Sequence, residues 1–89
     1  MSTVKKKKSV FHMVPVNSRQ IALVVYDVYS NELFVHYHSG DVRMYPFVSR
    51  DEYNTLRDAA NRHDELVDMM QGREYEFIRL EAEKEQMYQ

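Results

Sequence analysis

Apolar and polar residues alternate with a period of two in three runs between residues 17 and 47, and this alternation predicts three β-strands. Ser30-Asn31 and Ser39-Gly40 separate the runs, and both dipeptides suit two-residue hairpin turns. The first run, residues 17–29, is apolar on both faces, so we expect a strand that is central or is covered on both sides. The pattern therefore predicts a compact antiparallel meander.

The same alternation assigns side chains to the two faces of the sheet. In the first strand, Ile21, Leu23 and Val25 should share one face. In the second and third strands, residues 32–38 and 41–47, a two-residue turn fixes the register. That register predicts one face with four polar or aromatic side chains: His36, His38, Arg43 and Tyr45.

A capping box predicts where the first helix begins, because the Ser49 side chain can accept from the third helical residue while Glu52 reaches back. The buried stripe of this helix should contain Tyr53, Leu56, Ala60 and Ala59. Residues 61–64 read as a break, and Asp64 can cap a second helix that carries Leu66, Val67, Met69 and Met70. The apolar spacing continues almost in phase across the break, so a single bent helix is the alternative.

After Gly72, residues 73–80 alternate in a manner that favours a short fourth strand, with a helix from Glu74 onward as the alternative. Pro46 cannot donate to a β-ladder, so the third strand should end there or lie at an edge. The chain is therefore predicted to be an α+β domain, a three- or four-stranded antiparallel meander with one or two helices packed on one face.

Composition places this domain between two charged ends. The net charge is −2, yet Lys5–Lys8 form a basic run, so we expect a flexible basic arm over residues 1–15, a domain over residues 16–80 and an acidic tail over residues 81–89. The acidic body disfavours nucleic acid as a partner. No apolar run is long enough for a membrane helix, and we expect a cytoplasmic protein.

The chain has 89 residues and no cysteine, so its small core has neither disulfides nor thiolate metal sites to stabilise it, and a homodimer or higher homo-oligomer is expected. No glycine-rich phosphate loop or nucleophile motif is present, so no enzyme and no cofactor are predicted. His36 and His38 lack an obvious third metal ligand. Acid–base cleavage of a phosphodiester by the two histidines is the minor alternative.

Seven side chains instead suggest a binding site for an anion with a planar ring. Rings and guanidinium planes stack on bases, while arginine binds phosphate through two parallel hydrogen bonds. Ser18-Arg19 lie in a turn whose amides can cradle a phosphate. The candidate ligand-binding residues are Ser18, Arg19, Tyr26, His36, His38, Arg43 and Tyr45. Core packing of the tyrosines and cross-strand pairing of Arg43 with an acid are the structural alternatives.

Between residues 16 and 80 the order of short motifs resembles the KTSC domain family. The matching residues include Asn17-Ser18, Tyr26-Asp27, Leu33-Phe-Val, Gly40, Tyr45, Val48, and the helix positions Tyr53, Leu56 and Ala59. A looser match follows at Leu66, Met70, Arg73, Tyr75 and Phe77. The chain departs from the family at Arg43, where a tyrosine is usual, and at Asn61-Arg62-His63, where a serine–glycine segment is usual.

This resemblance implies a small stand-alone binding module of the kind found in phages. Some small phage proteins of this general type sequester cyclic dinucleotide or trinucleotide immune signals and so blunt the host's CBASS defence. The resemblance therefore implies a non-catalytic sponge for a cyclic oligonucleotide, acting in the host cytoplasm. A protein–protein inhibitor or adaptor, and an RNA- or translation-associated accessory module that uses Lys5–Lys8, are the alternatives.

Overall fold

The structure, a computed structural model, describes residues 10–78. Five antiparallel strands form one sheet in the order β1-β2-β3-β4-β5, and two helices lie between β4 and β5 in the chain. The elements are β1 Phe11–Pro15, β2 Ile21–Asp27, β3 Glu32–Tyr37, β4 Val42–Tyr45, α1 Arg50–Asp58, α2 Arg62–Met70 and β5 Glu76–Ile78. The predicted α+β meander is confirmed, with one strand more than expected.

Both helices pack on the same face of the sheet, and the core lies between them and the strands. On the sheet side, β1 to β4 contribute Val14, Ile21, Val24, Tyr26, Leu33, Val35 and Tyr45. The helices and the segment before them contribute Val48, Tyr53, Leu56 and Leu66. Because every strand pairs with its neighbour in the chain, the sheet needs no crossover and its faces are set by the lengths of the turns.

The additional strand is β1, which the sequence analysis placed in the flexible arm. Phe11–Pro15 pair with Leu23–Asp27 of β2, and Val14 is buried beneath the helices. The prediction was wrong for these residues because they were grouped with the adjacent lysine run. They form a short segment that pairs with the edge of β2. The rest of the arm, residues 1–9, lies outside the described residues.

The connection between β2 and β3 is two residues longer than predicted. Asp27 pairs with Glu32, so residues 28–31 form a four-residue turn in place of Ser30-Asn31. The Asp27 carboxylate accepts from the backbone N–H of Tyr29 and Ser30, at 3.0 and 3.4 Å. An even change in loop length leaves each side chain on its expected face.

A register shift in β2 alters the faces near its start. The irregularity lies between Ile21 and Leu23, and it allows Ile21 and Val24 to be buried together in the core. Leu23 and Val25 lie on the face away from the helices. The expected shared face of Ile21, Leu23 and Val25 is therefore wrong.

The turn between β3 and β4 contains three residues, not two. Tyr37 N–H donates to the carbonyl of Asp41 at 2.9 Å, which leaves residues 38–40 as the loop. Gly40 closes the loop with a φ of 101°, a conformation that only glycine adopts readily. The loop is one residue longer than predicted, so each residue of β4 lies opposite a different residue of β3, one position along the strand. The side chains of β4 that were predicted on one face of the sheet therefore lie on the other.

The helix predictions agree closely with the structure. The capping box of Ser49 and Glu52 is present, and Ala59 ends α1. A second helix follows the predicted break, but Asn61 rather than Asp64 caps it, because the Asn61 side chain accepts from the Asp64 N–H at 3.0 Å. Ala60 falls between the helices and is exposed, so it takes no part in the buried stripe.

The strand prediction for the segment after Gly72 is confirmed over Glu76–Ile78, which pair with Val42–Met44. Arg73 brings the chain back toward the sheet by donating to the Glu52 carboxylate and to the Phe47 carbonyl. The predicted acidic tail, residues 81–89, lies outside the described residues.

Candidate ligand-binding site

The predicted polar face does not exist as one cluster. Arg43 pairs with Val35 and Tyr45 pairs with Leu33, so both point to the helix-covered face. His36 pairs with Val42 and lies on the opposite face, where burial lowers its pKa below the ordinary 6.5. The three-residue turn is the reason for this separation, since a two-residue turn would have set His36 beside Arg43.

Tyr26 is a core residue. Its side chain is fully buried, and its ring stacks on Tyr53 with centroids 4.5 Å apart. The Tyr26 hydroxyl donates to the Val48 carbonyl at 2.7 Å and accepts from the Asn31 side-chain amide at 2.8 Å. Tyr26 therefore joins the β2–β3 turn to the segment that leads into α1, which is a structural role.

Tyr45 is also buried, with 2% of its surface exposed. Its ring contacts Tyr75 at a centroid distance of 5.3 Å. In this position its ring cannot stack on a ligand base.

Three of the candidate residues do come together at one corner of the sheet. The Ser18 hydroxyl accepts from the Ile21 N–H at 3.1 Å and so shapes the turn between β1 and β2. His38 Nε2 lies 3.0 Å from the Ser18 carbonyl, and because a carbonyl only accepts, this nitrogen carries the proton. The backbone N–H of His38 also donates to the Gln20 carbonyl at 2.8 Å. These bonds hold the β1–β2 and β3–β4 turns side by side.

A concavity of about 410 Å³ lies at this corner, and its walls are Arg19, Gln20, Tyr37, His38 and Ser39. Arg19 and His38 are exposed, while Tyr37 is half-buried and forms the inner wall. Volumes of this order are typical of small-molecule sites. The corner therefore offers a guanidinium, an imidazole and an aromatic ring to a ligand.

Arg43 lies behind the same wall, inside a cage of three aromatic rings. Its guanidinium carbon is 5.0 Å from the centroid of Tyr37, 4.5 Å from that of Tyr75 and 5.7 Å from that of Phe77. The Tyr45 hydroxyl is the main cause of a raised pKa for Arg43, so the side chain stays charged. We call Arg43 with these three rings the arginine cage.

The charge of Arg43 has no acidic partner within residues 10–78, since none of the ion pairs there includes it. Its Nε is buried and makes no hydrogen bond. A buried polar group without a partner is unusual and calls for an explanation, such as a bound ion. The predicted pairing of Arg43 with a cross-strand acid is absent in this part of the chain.

The sequence analysis missed Tyr37, Tyr75 and Phe77 as contributors to the site. Tyr37 was assigned to the other face from Arg43, and the error in turn length concealed their contact. Tyr75 precedes by two residues Phe77, which lies in β5 next to β4, and this spacing in a segment predicted as a strand was the available signal.

Two other concavities have different character. The groove between α1 and α2, about 760 Å³, has five carboxylate residues in its walls: Asp51, Asp58, Asp64, Glu65 and Asp68. It would repel an anion. A smaller concavity of about 220 Å³ beside the start of α1 is lined in part by His12, Arg50 and Arg57, and Arg57 already pairs with Asp58 at 2.9 Å.

The described part of the chain holds no group of three or more histidine, aspartate or glutamate side chains placed to bind a metal ion. Neither of its helices has the length and apolar character needed to cross a membrane.

Comparison with known proteins finds a relative by structure. A scan against models of protein families and a search of curated proteins both returned no match. Among solved structures, a KTSC domain protein from Yersinia pestis superimposes with a TM-score of 0.68 at 17% sequence identity, covering 79% of this chain and all of that one. The order of motifs in the sequence and the arrangement of strands and helices thus agree, and the chain has a KTSC-like fold.

Proposed function

We propose that this protein is a non-catalytic binding protein that captures a small nucleotide-type anion at the corner formed by Arg19, Tyr37, His38 and the arginine cage. The ligand class we favour is a cyclic oligonucleotide signal, which the protein would sequester from a host defence system. The observation that carries this proposal is the Arg43 guanidinium, which is charged, partly buried and unpaired within residues 10–78.

A partly buried charge without an acidic partner costs free energy, and a domain of this size has little net stability to offset that cost. The aromatic cage lowers that cost through cation–π contacts, but these contacts supply no oxygen acceptor to the guanidinium N–H groups, and the buried Nε–H makes no hydrogen bond. A phosphate would satisfy them, because arginine donates two parallel hydrogen bonds to phosphate oxygens. An anion that reaches Arg43 would therefore complete its hydrogen bonding.

Tyr37 connects the caged charge to the open concavity. Its ring contacts the Arg43 guanidinium, and Tyr37 also lines the concavity with Arg19 and His38. A ring in this position can stack on a base, which contributes about 1–3 kcal/mol per base in known complexes. Arg19 supplies a second guanidinium at the mouth, where its exposed side chain can adapt to a phosphate.

The proposed site is smaller than the one inferred from the sequence. It retains Ser18 through its carbonyl, together with Arg19, His38 and Arg43, and it gains Tyr37. His36, Tyr26 and Tyr45 are left out because one lies on the far face and two are buried.

A thermal-shift panel of cyclic and linear nucleotides tests the proposal. A ligand present at 100 times its dissociation constant stabilises the folded state by about 2.7 kcal/mol. For a domain of this size that corresponds to a rise in Tm of roughly 10–20 °C. Failure of every nucleotide in the panel to raise Tm would contradict the proposal.

Two arginine substitutions place the binding site. Arg19→Ala should abolish most of the ligand-induced rise in Tm, because Arg19 lines the concavity. Arg50→Ala is the matched control, since Arg50 is also exposed but lies on α1, and it should bind as the wild type does. Equal loss in both variants would point to diffuse charge attraction and against this site.

The fate of the ligand separates capture from catalysis. Denaturing a saturated complex and chromatographing the supernatant should recover the nucleotide intact and in stoichiometric amount. A cleaved product would identify a hydrolase instead. Binding that disappears on removal of residues 1–8, with the salt dependence of phosphate contacts, would favour the RNA-associated alternative.

A further inference from the structure

The sheet face away from the helices is mainly apolar. The pairing registers place on it a central row, Met13, Val25, Phe34 and Met44, and a second row, Leu23, His36, Val42 and Ile78. Phe11 and Pro15 extend it along β1. We call these ten residues the open face.

Neither helix covers the open face, because both pack on the opposite side of the sheet. Met13 and Phe11 expose 63% and 55% of their surface. Val42 is buried although it lies outside the core cluster. Water therefore meets a continuous apolar surface rather than the polar face that an antiparallel sheet usually presents to solvent.

The charges on this side lie at its margins. Asp27 of β2 and Glu32 of β3 lie opposite each other at one end of the strands, and Phe11 of β1 lies opposite Asp27. Glu76 lies on the edge strand β5, opposite Met44. None of the ten residues of the open face is a lysine or arginine, and His36 is the sole titratable group among them. An apolar centre with a charged rim is the anatomy of a protein interface.

The area of the open face is large enough for contact with a second sheet of the same dimensions. Five strands about 4.8 Å apart and about five residues long give a projected area on the order of 400 Å². Side chains make the accessible area larger than the projection, so two such faces would remove on the order of 1,000 Å² from water. That value is at the lower end for specific protein interfaces, where association is weak and reversible.

We propose that the open face binds the open face of a second copy of this chain, so that two sheets stack into a sandwich about 10 Å thick. A symmetric contact of this kind needs only one surface, which every copy carries. A two-fold axis that runs in the interface across the strands places the Asp27–Glu32 end of one copy over the Leu23–His36 end of the other. This arrangement keeps the two pairs of acids apart, whereas an axis parallel to the strands would superimpose them.

Measurement of the molecular mass in solution tests the proposed dimer. In sedimentation or light scattering, the full chain should pass reversibly from 10.7 kDa to twice that mass as its concentration rises from a few micromolar to several hundred micromolar. Phe34→Glu, at the centre of the open face, should remain at the monomer mass throughout. Phe47→Glu is the matched control, because Phe47 is 86% exposed in the segment before α1 and off the sheet, and it should dimerise as the wild type does.

Circular dichroism and a thermal melt establish that Phe34→Glu is folded; if it is not, Met13→Lys, at an exposed edge position, takes its place. A wild-type chain that stays monomeric at the highest concentration overturns the proposal. So does equal dimerisation of the wild type and the folded open-face variant. Dimerisation that appears only after residues 79–89 are removed also overturns it, since the chain's own tail would then be the occupant.

Discussion

Replacing Tyr26 by phenylalanine separates the structural role of this residue from the ligand-binding role that its sequence position suggested. The substitution removes one hydroxyl and leaves the ring stacked on Tyr53. Two hydrogen bonds are lost, one donated to the Val48 carbonyl and one accepted from the Asn31 amide. We expect a less stable protein whose nucleotide affinity, measured well below Tm, is unchanged.

The two lost bonds differ in cost. Asn31 is exposed, so its amide can bind water when the hydroxyl is gone. Val48 has no exposed surface, so its carbonyl stays buried without a donor. An unsatisfied buried group costs about 1–3 kcal/mol. For a domain of this size about 2 kcal/mol lowers Tm by roughly 8–16 °C.

Urea denaturation and thermal melts of Tyr26→Phe measure this loss. Tyr29→Phe is the control, because Tyr29 is 66% exposed and its hydroxyl makes no hydrogen bond to the described residues. The control should melt within about 2 °C of the wild type, as is usual for a surface substitution. A Tyr26→Phe variant as stable as the control would refute the buried bridge, and a variant that lost nucleotide binding while folded would return Tyr26 to the site.

Three further substitutions test the capping box, the β3–β4 turn and the far face. Ser49→Ala should lower the unfolding free energy, measured in urea, by about 1 kcal/mol, because the Glu52 N–H loses its acceptor. The control Thr55→Ala, at an exposed position of the same helix, should leave the unfolding free energy unchanged, and equal losses in both variants would argue against the cap. Gly40→Ala should cost about 1–2 kcal/mol through its φ of 101° alone, since nothing lies within 4 Å of the added carbon; an unchanged urea midpoint would contradict this. Burial lowers the pKa of His36 in the folded state, so protons bind the unfolded state more readily than the folded state. The contribution of neutral His36 to stability should therefore be full above pH 6.5 and be lost as pH falls through the folded-state pKa. His36→Gln should flatten this decline in melts from pH 8 to 5, and an unaltered slope would assign it to other groups.

Local chemistry was predictable where neighbouring residues in the chain settle the outcome. The capping box and the break between the helices depend on contacts over a few residues, and both are present. Even here the choice between Asn61 and Asp64 as the cap went the other way, because either side chain can accept from a helix N–H.

The candidate site was only partly predictable because it depends on register. Ser18, Arg19 and His38 were identified as candidate ligand-binding residues, and they meet at one corner. The arginine cage was not foreseen, since Tyr37 and Arg43 meet on one face only if the β3–β4 turn holds three residues.

By itself, the sequence determined the type and order of most elements, since β-alternation, capping and turn residues act over short distances. It did not determine which side chains share a face. One extra turn residue, His38, exchanges the faces of β4, and the free energy that selects this register comes from burying Tyr45 and Val35 in a common core. Likewise, Phe11–Pro15 became a strand only because β2 presents a free edge. Pairing between distant segments is a property of the assembled sheet, so only the tertiary structure decided where Arg43 lies and which face remains open.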